Sequence, residues 1–145
     1  MLVPELVTSE RQAELVRRIR NTCALFMTRY RNEISRVEQQ QWFAAIDSEA
    51  ISLYLYRNPS SQAVGYGLVR REGEKSWLTG GLRPEYRGQG LESLLLLQLV
   101  ETAYQKGYRF GEMSWILESN DKVQRSIELL GGEIYKTYRI YQKPL

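Results

Sequence analysis

The sequence predicts one compact α/β domain over residues 1–145, and three observations lead to this prediction. Apolar residues recur at helical spacing in four segments, whereas six other segments have the alternation or composition of strands. A length of 145 residues with 43% apolar residues suits one hydrophobic core and leaves no room for a second. No linker, internal repeat or low-complexity segment divides the chain.

The first third of the chain predicts one strand and two helices. Residues 2–7 form a short apolar segment that we interpret as a strand. Ser9 and Gln12 have the spacing of a capping box, in which two side chains satisfy the free N–H groups of a helix start. Ser35 and Glu38 repeat this spacing and predict the start of a second helix.

The middle of the chain predicts an antiparallel meander of three strands. Residues 51–56 alternate apolar and polar side chains, as a half-buried strand does. The turn-forming sequence at 58–61 leads into a returning strand at 63–71. A second tight turn at 72–73 precedes the strand at 76–82.

The last part predicts helices that alternate with strands. Pro84 ends the third strand of the meander because proline has no N–H to donate to a ladder. A helix at about 91–106, a strand at 108–117 and a helix from Ser119 or Asn120 follow. The tail at 133–142 has the composition of one more strand.

The composition excludes several kinds of catalytic site. The chain has no histidine and only one cysteine, Cys23, so we predict no zinc site and no Ser-His or Cys-His nucleophile pair. A single cysteine cannot form an intramolecular disulfide, which fits a reducing compartment, and we expect a cytoplasmic protein. We interpret Cys23 as a small buried residue rather than an acyl-enzyme nucleophile.

Charge and hydropathy exclude two classes of partner. The net charge of +3 is compatible with phosphate affinity, although a modest basic excess is also typical of a solvated surface. No basic run carries interleaved aromatic residues, so we expect no nucleic-acid partner. Unbroken apolar runs such as Leu94 to Leu97 are far shorter than a membrane span, and we expect no membrane association.

The loop Arg87-Gly88-Gln89-Gly90 lies between a predicted strand and a predicted helix. At such a junction the free N–H groups of the first helical turn and the helix dipole favour an anion. Glycines let the backbone approach a phosphate closely, and an arginine adds a charged donor. The alternative is an ordinary glycine turn.

A longer stretch around this loop carries a family resemblance. The sequence from Leu82 to Leu91 resembles motif A of the GNAT superfamily of acyl-CoA-dependent N-acyltransferases, typically Val-x-Pro-x-x-Arg-Gly-x-Gly-x-Gly/Ala. Asn120 stands at the start of the next helix after an intervening strand, where GNAT proteins commonly place an asparagine that contacts the cofactor. The order of the predicted elements is also the GNAT order over almost the whole chain.

The resemblance implies a mixed central sheet of about six strands flanked by four helices, with a single final strand in place of the usual terminal hairpin. It also implies acetyl-CoA, or another acyl-CoA, as the donor. Leu82 and Arg83 would contact the pantetheine arm, and Asn120 would meet the same arm. The strands at 76–82 and 108–117 would splay apart around the thioester. The pyrophosphate would be wrapped by Arg87, Gly88, Gln89, Gly90, Leu91 and Glu92.

Two positions depart from the family pattern. Glu92 replaces the last glycine or alanine of the motif, and its carboxylate would repel a pyrophosphate unless it points to solvent. Ile127 stands where GNAT proteins usually carry the tyrosine that protonates the departing thiolate. A thiol with a pKa of about 8.5 leaves without strong help, so transfer remains possible in principle.

The remaining candidate site residues would deprotonate the acceptor amine or contact the acceptor. An amine must be neutral before it attacks, which usually requires a carboxylate or an ordered water. Glu118, at the carboxyl end of the strand predicted at 108–117, is the favoured base, and Glu112 on the same face is the second candidate. Arg20, Asn21 and Trp42 lie on the two helices that would contact the acceptor, although Trp42 fits core or half-buried packing better.

The sequence therefore predicts an N-acyltransferase that acts on a primary amine of a small molecule or a peptide. Two alternatives remain open: a non-catalytic domain that binds a CoA thioester, and a transferase that takes its acyl group from a carrier protein. The short tail also raises the possibility of a homodimer that closes the acceptor side.

Overall fold

A computed structural model describes residues 2–26, 32–113 and 116–138, with the Phe26 side chain left out. The strands are β1 (Val3–Leu6), β2 (Ile51–Arg57), β3 (Ala63–Glu72), β4 (Lys75–Leu82) and β5 (Phe110–Glu112). The helices are α1 (Glu10–Thr22), α2 (Arg36–Ala44), α3 (Leu91–Gln105) and α4 (Asp121–Leu129), with short 3-10 turns at Ala24–Phe26 and Pro84–Tyr86. The predicted α/β class and the predicted order of elements from β1 to α4 are confirmed.

The five strands form one mixed sheet in the order β1-β2-β3-β4-β5. The first four strands are antiparallel, which confirms the predicted meander, and β5 runs parallel to β4 after the crossover through α3. The pairing of β4 with β5 covers only Lys75, Ser76 and Trp77 on β4. From Leu78 to Leu82, the edge of β4 has no ladder partner in the described part of β5, and we call the region between this edge and the end of β5 the fork.

Two strand predictions are wrong as far as the structure describes them. The strand predicted at 108–117 is limited to Phe110–Glu112, and the residues at 113 and 116–117 are not in a strand, while 114–115 lie outside the described residues. The final strand predicted at 133–142 is not formed at 133–138, and the rest lies outside the described residues. Strand composition alone does not suffice, because a strand also needs a neighbouring backbone with which to pair.

The sheet separates two clusters of buried residues. On one face, α1 packs its buried side chains at Ala13, Val16 and Ile19 against β2 and β3. On the other face, α3 packs Leu95 and Leu99 against the sheet. Burial of apolar side chains on both faces is the main stabilising contribution of such a layered fold.

Both predicted capping boxes are present and fix where α1 and α2 begin. The Ser9 side chain accepts from the N–H of Gln12, and the Gln12 side chain accepts from the N–H of Ser9 in return. Ser35 and Glu38 make the same reciprocal pair at the start of α2. None of the helices in the described ranges is long and apolar enough to cross a membrane.

Candidate functional site

The glycine loop has the backbone geometry of an anion cradle. Gly88 and Gly90 both have left-handed backbone angles, with φ of 73° and 78°, which residues other than glycine rarely adopt. Gly90 is the N-cap residue of α3 and provides no side chain to cap it. The first turn of α3 therefore presents N–H groups without intrahelical acceptors at the end of the helix where the dipole is positive.

The Arg87 side chain makes contacts inside the protein. Its Nε donates to the carbonyl oxygen of Leu82 at 3.0 Å, and one Nη donates to Sγ of Cys23 at 3.2 Å. The guanidinium thus ties the end of β4 to the end of α1. Cys23 is buried, as predicted, and its thiol also donates to the Leu82 carbonyl.

The Glu92 side chain turns toward the loop, so the interpretation that it points to solvent is wrong. It is half-buried in the first turn of α3, and its Oε1 accepts from the backbone N–H of Gly88 at 2.5 Å. A carboxylate at this helix end is favoured by the dipole. The Gly88 N–H, one donor of the cradle, is therefore already occupied by the Glu92 carboxylate.

The start of α4 lies beside the same loop. The Lys122 ammonium is 3.7 Å from the place that a Cβ at Gly88 would occupy, and the hydroxyls of Ser93 and Ser126 are 3.0 Å apart. Asn120 precedes α4, and its side chain does not cap the helix. The fold therefore brings Asn120 and Lys122 to the edge that carries the glycine loop. Lys122 was not predicted, and its only sequence signal is its place two residues after Asn120.

Backbone donors face the fork between β4 and β5. The N–H of Arg83 donates to the Val64 carbonyl at 2.9 Å, on the β3 side of β4. Because successive N–H groups of a strand point to opposite edges, those of Leu78, Gly80 and Leu82 point toward the β5 side. Beyond Trp77 this edge of β4 has no ladder partner in the described part of β5.

A cavity of about 960 Å³ adjoins the start of the fork. Glu112 lies in β5 and Glu118 lies in the turn before α4, so the prediction that they share one face of a strand is wrong. Both residues nevertheless line this cavity. Ile127 lines it as well. The Tyr135 hydroxyl lies beside Glu112, and a hydrogen bond to that carboxylate, together with its charge, raises the pKa of the phenol.

The residues predicted to contact the acceptor have partners within the protein. Arg20 is buried and donates to the Asn32 carbonyl. The Asn21 amide makes two hydrogen bonds with the backbone of Ile34, at 2.9 and 3.0 Å. Trp42 is 39% exposed on α2.

A different set of residues forms a groove of about 450 Å³ between α1 and α2. This groove mixes acidic, basic and amide side chains, and it does not include the three predicted acceptor residues. Its lining includes Glu10, Arg11, Glu14, Arg18, Arg36, Gln39, Gln40 and Phe43.

Comparison with known sequences gives two partial matches, and no protein-family model matches the chain. The chain is 28% identical over 124 residues to a bacterial ceramide synthase of Caulobacter vibrioides (strain NA1000 / CB15N), covering 72% of this chain and 32% of that protein. It is 36% identical over 69 residues to protein YghO of Escherichia coli (strain K12), covering 45% and 18%. The chain therefore spans a third or less of the length of these curated relatives.

Solved structures show the same fold. A GNAT superfamily phosphinothricin acetyltransferase from Sinorhizobium meliloti, in complex with AcCoA, matches with a TM-score of 0.76 at 17% identity, covering 90% of this chain and 74% of that one. AAC(6')-Iy, in complex with the bisubstrate analogue CoA-S-monomethyl-acetylneamine, matches with a TM-score of 0.74 at 13% identity, covering 100% of this chain and 99% of that one. The chain thus has the fold of the GNAT-type acetyltransferases.

Proposed function

We propose that this chain transfers an acyl group from an acyl-CoA to a primary amine by direct attack in a ternary complex. The observation that carries the proposal is the juxtaposition of the glycine loop at the start of α3 with the fork between β4 and β5. The fold supports it, because structures with the same fold are complexes with AcCoA or with a CoA bisubstrate analogue.

The residues of the cradle fit a pyrophosphate. The loop conformation and the free first-turn N–H groups of α3 suit an anion, and the Lys122 ammonium adds positive charge beside Gly88. Arg83 and Asn120 would meet the pantetheine arm, as the family resemblance implies. The Leu82 carbonyl already accepts from Arg87, so we assign Arg87 to the support of this strand end rather than to a phosphate.

The reaction needs stabilisation of a carbonyl oxygen, a base and an acid. When bound, the acyl-CoA supplies an activated thioester carbonyl. The N–H groups of Leu78 and Gly80 face the fork and would donate to a developing oxyanion there. Glu118, or Glu112, would accept the proton of the amine. Ile127 cannot donate a proton, and we assign that role to the Tyr135 phenol, which lines the same cavity.

The cavity beside the fork favours a donor with a longer acyl chain than acetyl as a second candidate. Its volume of about 960 Å³ far exceeds the space for two carbon atoms. The name of the Caulobacter relative describes ceramide synthesis, which joins a long acyl chain to an amine. The apolar lining includes Leu78, Val100, Ala103, Ile116, Leu117, Ile127, Leu130 and Ile134.

Thermal unfolding and a thiol-release assay test both candidates. We expect CoA to raise the melting temperature, and we expect acyl-CoAs with two to sixteen carbons to release thiol in the presence of an amine panel. Each buried methylene would improve donor binding by up to about fourfold if the cavity holds the chain. Gly90→Val should abolish the shift, because valine is strained at a φ of 78°.

The outcomes of this test separate the alternatives. CoA stabilisation without turnover on any amine would favour a domain that binds a CoA thioester without catalysis. Turnover only with an acylated carrier protein would favour the carrier-dependent transferase. No stabilisation by CoA or by any acyl-CoA would contradict the cofactor assignment.

A further inference from the structure

Glu92 lies in the first turn of α3, and its negative charge opposes the proposed ligand. Its carboxylate accepts from the Gly88 N–H at 2.5 Å, a short distance for a charge-assisted hydrogen bond. The contact joins the second residue of α3 to the glycine that begins the turn. It satisfies a backbone donor that would otherwise point out of the loop.

The contact places one anion where a second anion is expected. A helix start stabilises negative charge only within its first turn, so two anionic groups at this place compete for the same donors and the same dipole. The Lys122 ammonium lies 3.7 Å from the place that a Cβ at Gly88 would occupy, so it brings positive charge to the same loop.

We propose that Glu92 is an internal competitor for the phosphate-binding loop. Its carboxylate must release the Gly88 N–H before the pyrophosphate of an acyl-CoA can accept from the same group. Glu92 thereby lowers the affinity for the cofactor and raises the concentration needed to fill the site. This inference rests on the proposed function, since it assigns a role to one residue of that same site.

Two substitutions at position 92 separate competition from preorganisation. Glu92→Gln removes the charge but keeps an oxygen that can accept from Gly88, whereas Glu92→Ala removes both. If Glu92 competes with the ligand, CoA should bind about tenfold more tightly to each variant. The ligand then no longer has to displace a charged hydrogen bond, and it no longer meets the negative charge of the carboxylate. If the carboxylate instead holds the loop in its binding conformation, both variants bind CoA more weakly.

The experiment is isothermal titration of CoA, and of inorganic pyrophosphate, into the wild type and both variants. The control is Glu101→Gln, an exposed carboxylate on the same helix, which should leave both affinities unchanged. Thermal unfolding without ligand supplies a second readout, because loss of the Gly88 contact should lower the melting temperature of Glu92→Ala.

Each result decides one question. Tighter binding of CoA and pyrophosphate by both variants, with an unchanged control, is the expected result. Equal or weaker binding by the variants, while the wild type binds CoA, would overturn the role of Glu92 and leave the proposed function standing. Absence of CoA binding by all proteins would overturn the proposed function and this inference with it.

Discussion

Gly80 and Gly81 are the positions at which β4 passes between α1 and α3. A Cβ at Gly80 would lie 2.8 Å from the Tyr66 carbonyl oxygen and 3.0 Å from a methyl group of Leu95. A Cβ at Gly81 would lie 2.8 Å from Sγ of Cys23 on the opposite face. All three distances are shorter than ordinary contacts, so two glycines let the helices cover the strand at the point where the Gly80 N–H faces the fork.

The Gly80→Ala substitution should destabilise the fold by overpacking. Because the nearest atom is a backbone oxygen that cannot rotate away, we expect the free energy of unfolding in urea to fall by about 1–3 kcal/mol. Gly111→Ala is the matched control on β5, where the nearest atom is 3.6 Å away. A loss at Gly80 no larger than that at Gly111 would show that the strand adjusts without strain.

Lys122 is a second position where the replacement of a single side chain should change a measurable property, here the affinity for CoA. Replacement by glutamine removes the cation beside Gly88, and we expect CoA to bind about fivefold more weakly, the loss of one charged contact at the surface. Lys106→Gln, just beyond the opposite end of α3, should have no effect. Titration calorimetry measures both, and equal affinities would exclude Lys122 from the site.

At the scale of single residues, the sequence identified the loop but not the direction of its side chains. Gly88 and Gly90 were predictable because a positive φ has a local cause in the glycine itself. The inward turn of Arg87 was not, because its partner Cys23 is 64 residues away. The direction of the Glu92 side chain was not predictable either, since its contact with Gly88 depends on the shape that the turn adopts.

At the scale of single elements, local signals predicted helices better than strands. Ser9 and Ser35 begin their helices as expected because a capping box is complete within four residues. The length of β5 depends on its pairing with β4, and the described part of β5 pairs with β4 only as far as Trp77. The alternation of residues after Glu112 therefore predicted a strand for which the described part of the sheet offers no ladder.

Helix α1 carries a titration that should affect stability. Hydrogen bonds from Arg17 and Arg18 lower the pKa of Glu14 from 4.5 to about 2. The folded state thus binds fewer protons than the unfolded chain in this range, so the stabilisation is complete above about pH 4.5 and is lost as the pH falls toward 2.

The Glu14→Gln substitution should remove this titration. We expect the variant to unfold about 1 kcal/mol more easily at pH 7, a value reduced for solvent screening of a surface group. Its stability should also change less than that of the wild type between pH 4.5 and 2. Urea unfolding at a series of pH values measures this, and parallel curves for the two proteins would contradict it.

At the scale of the whole molecule, the two faces of the sheet differ in how their outer helices are held. Both buried clusters draw on the strands, one with α1 and the other with α3, and neither includes a residue of α4 among those described. Helix α4 packs on α3, where the hydroxyls of Ser93 and Ser126 meet beside the glycine loop. A ligand held between the starts of α3 and α4 would therefore stabilise the less firmly packed part of the fold.

Hydrogen–deuterium exchange with and without CoA tests this coupling. We expect CoA to slow amide exchange at 87–93 and at 120–126 together, because one bound anion restrains both helix starts, while residues 13–19 of α1 remain unchanged. The Gly90→Val variant should show no ligand-dependent change at any of these segments. Protection confined to the start of α3 would mean that α4 takes no part in binding. Protection at the groove between α1 and α2 would place the ligand on the other face of the sheet.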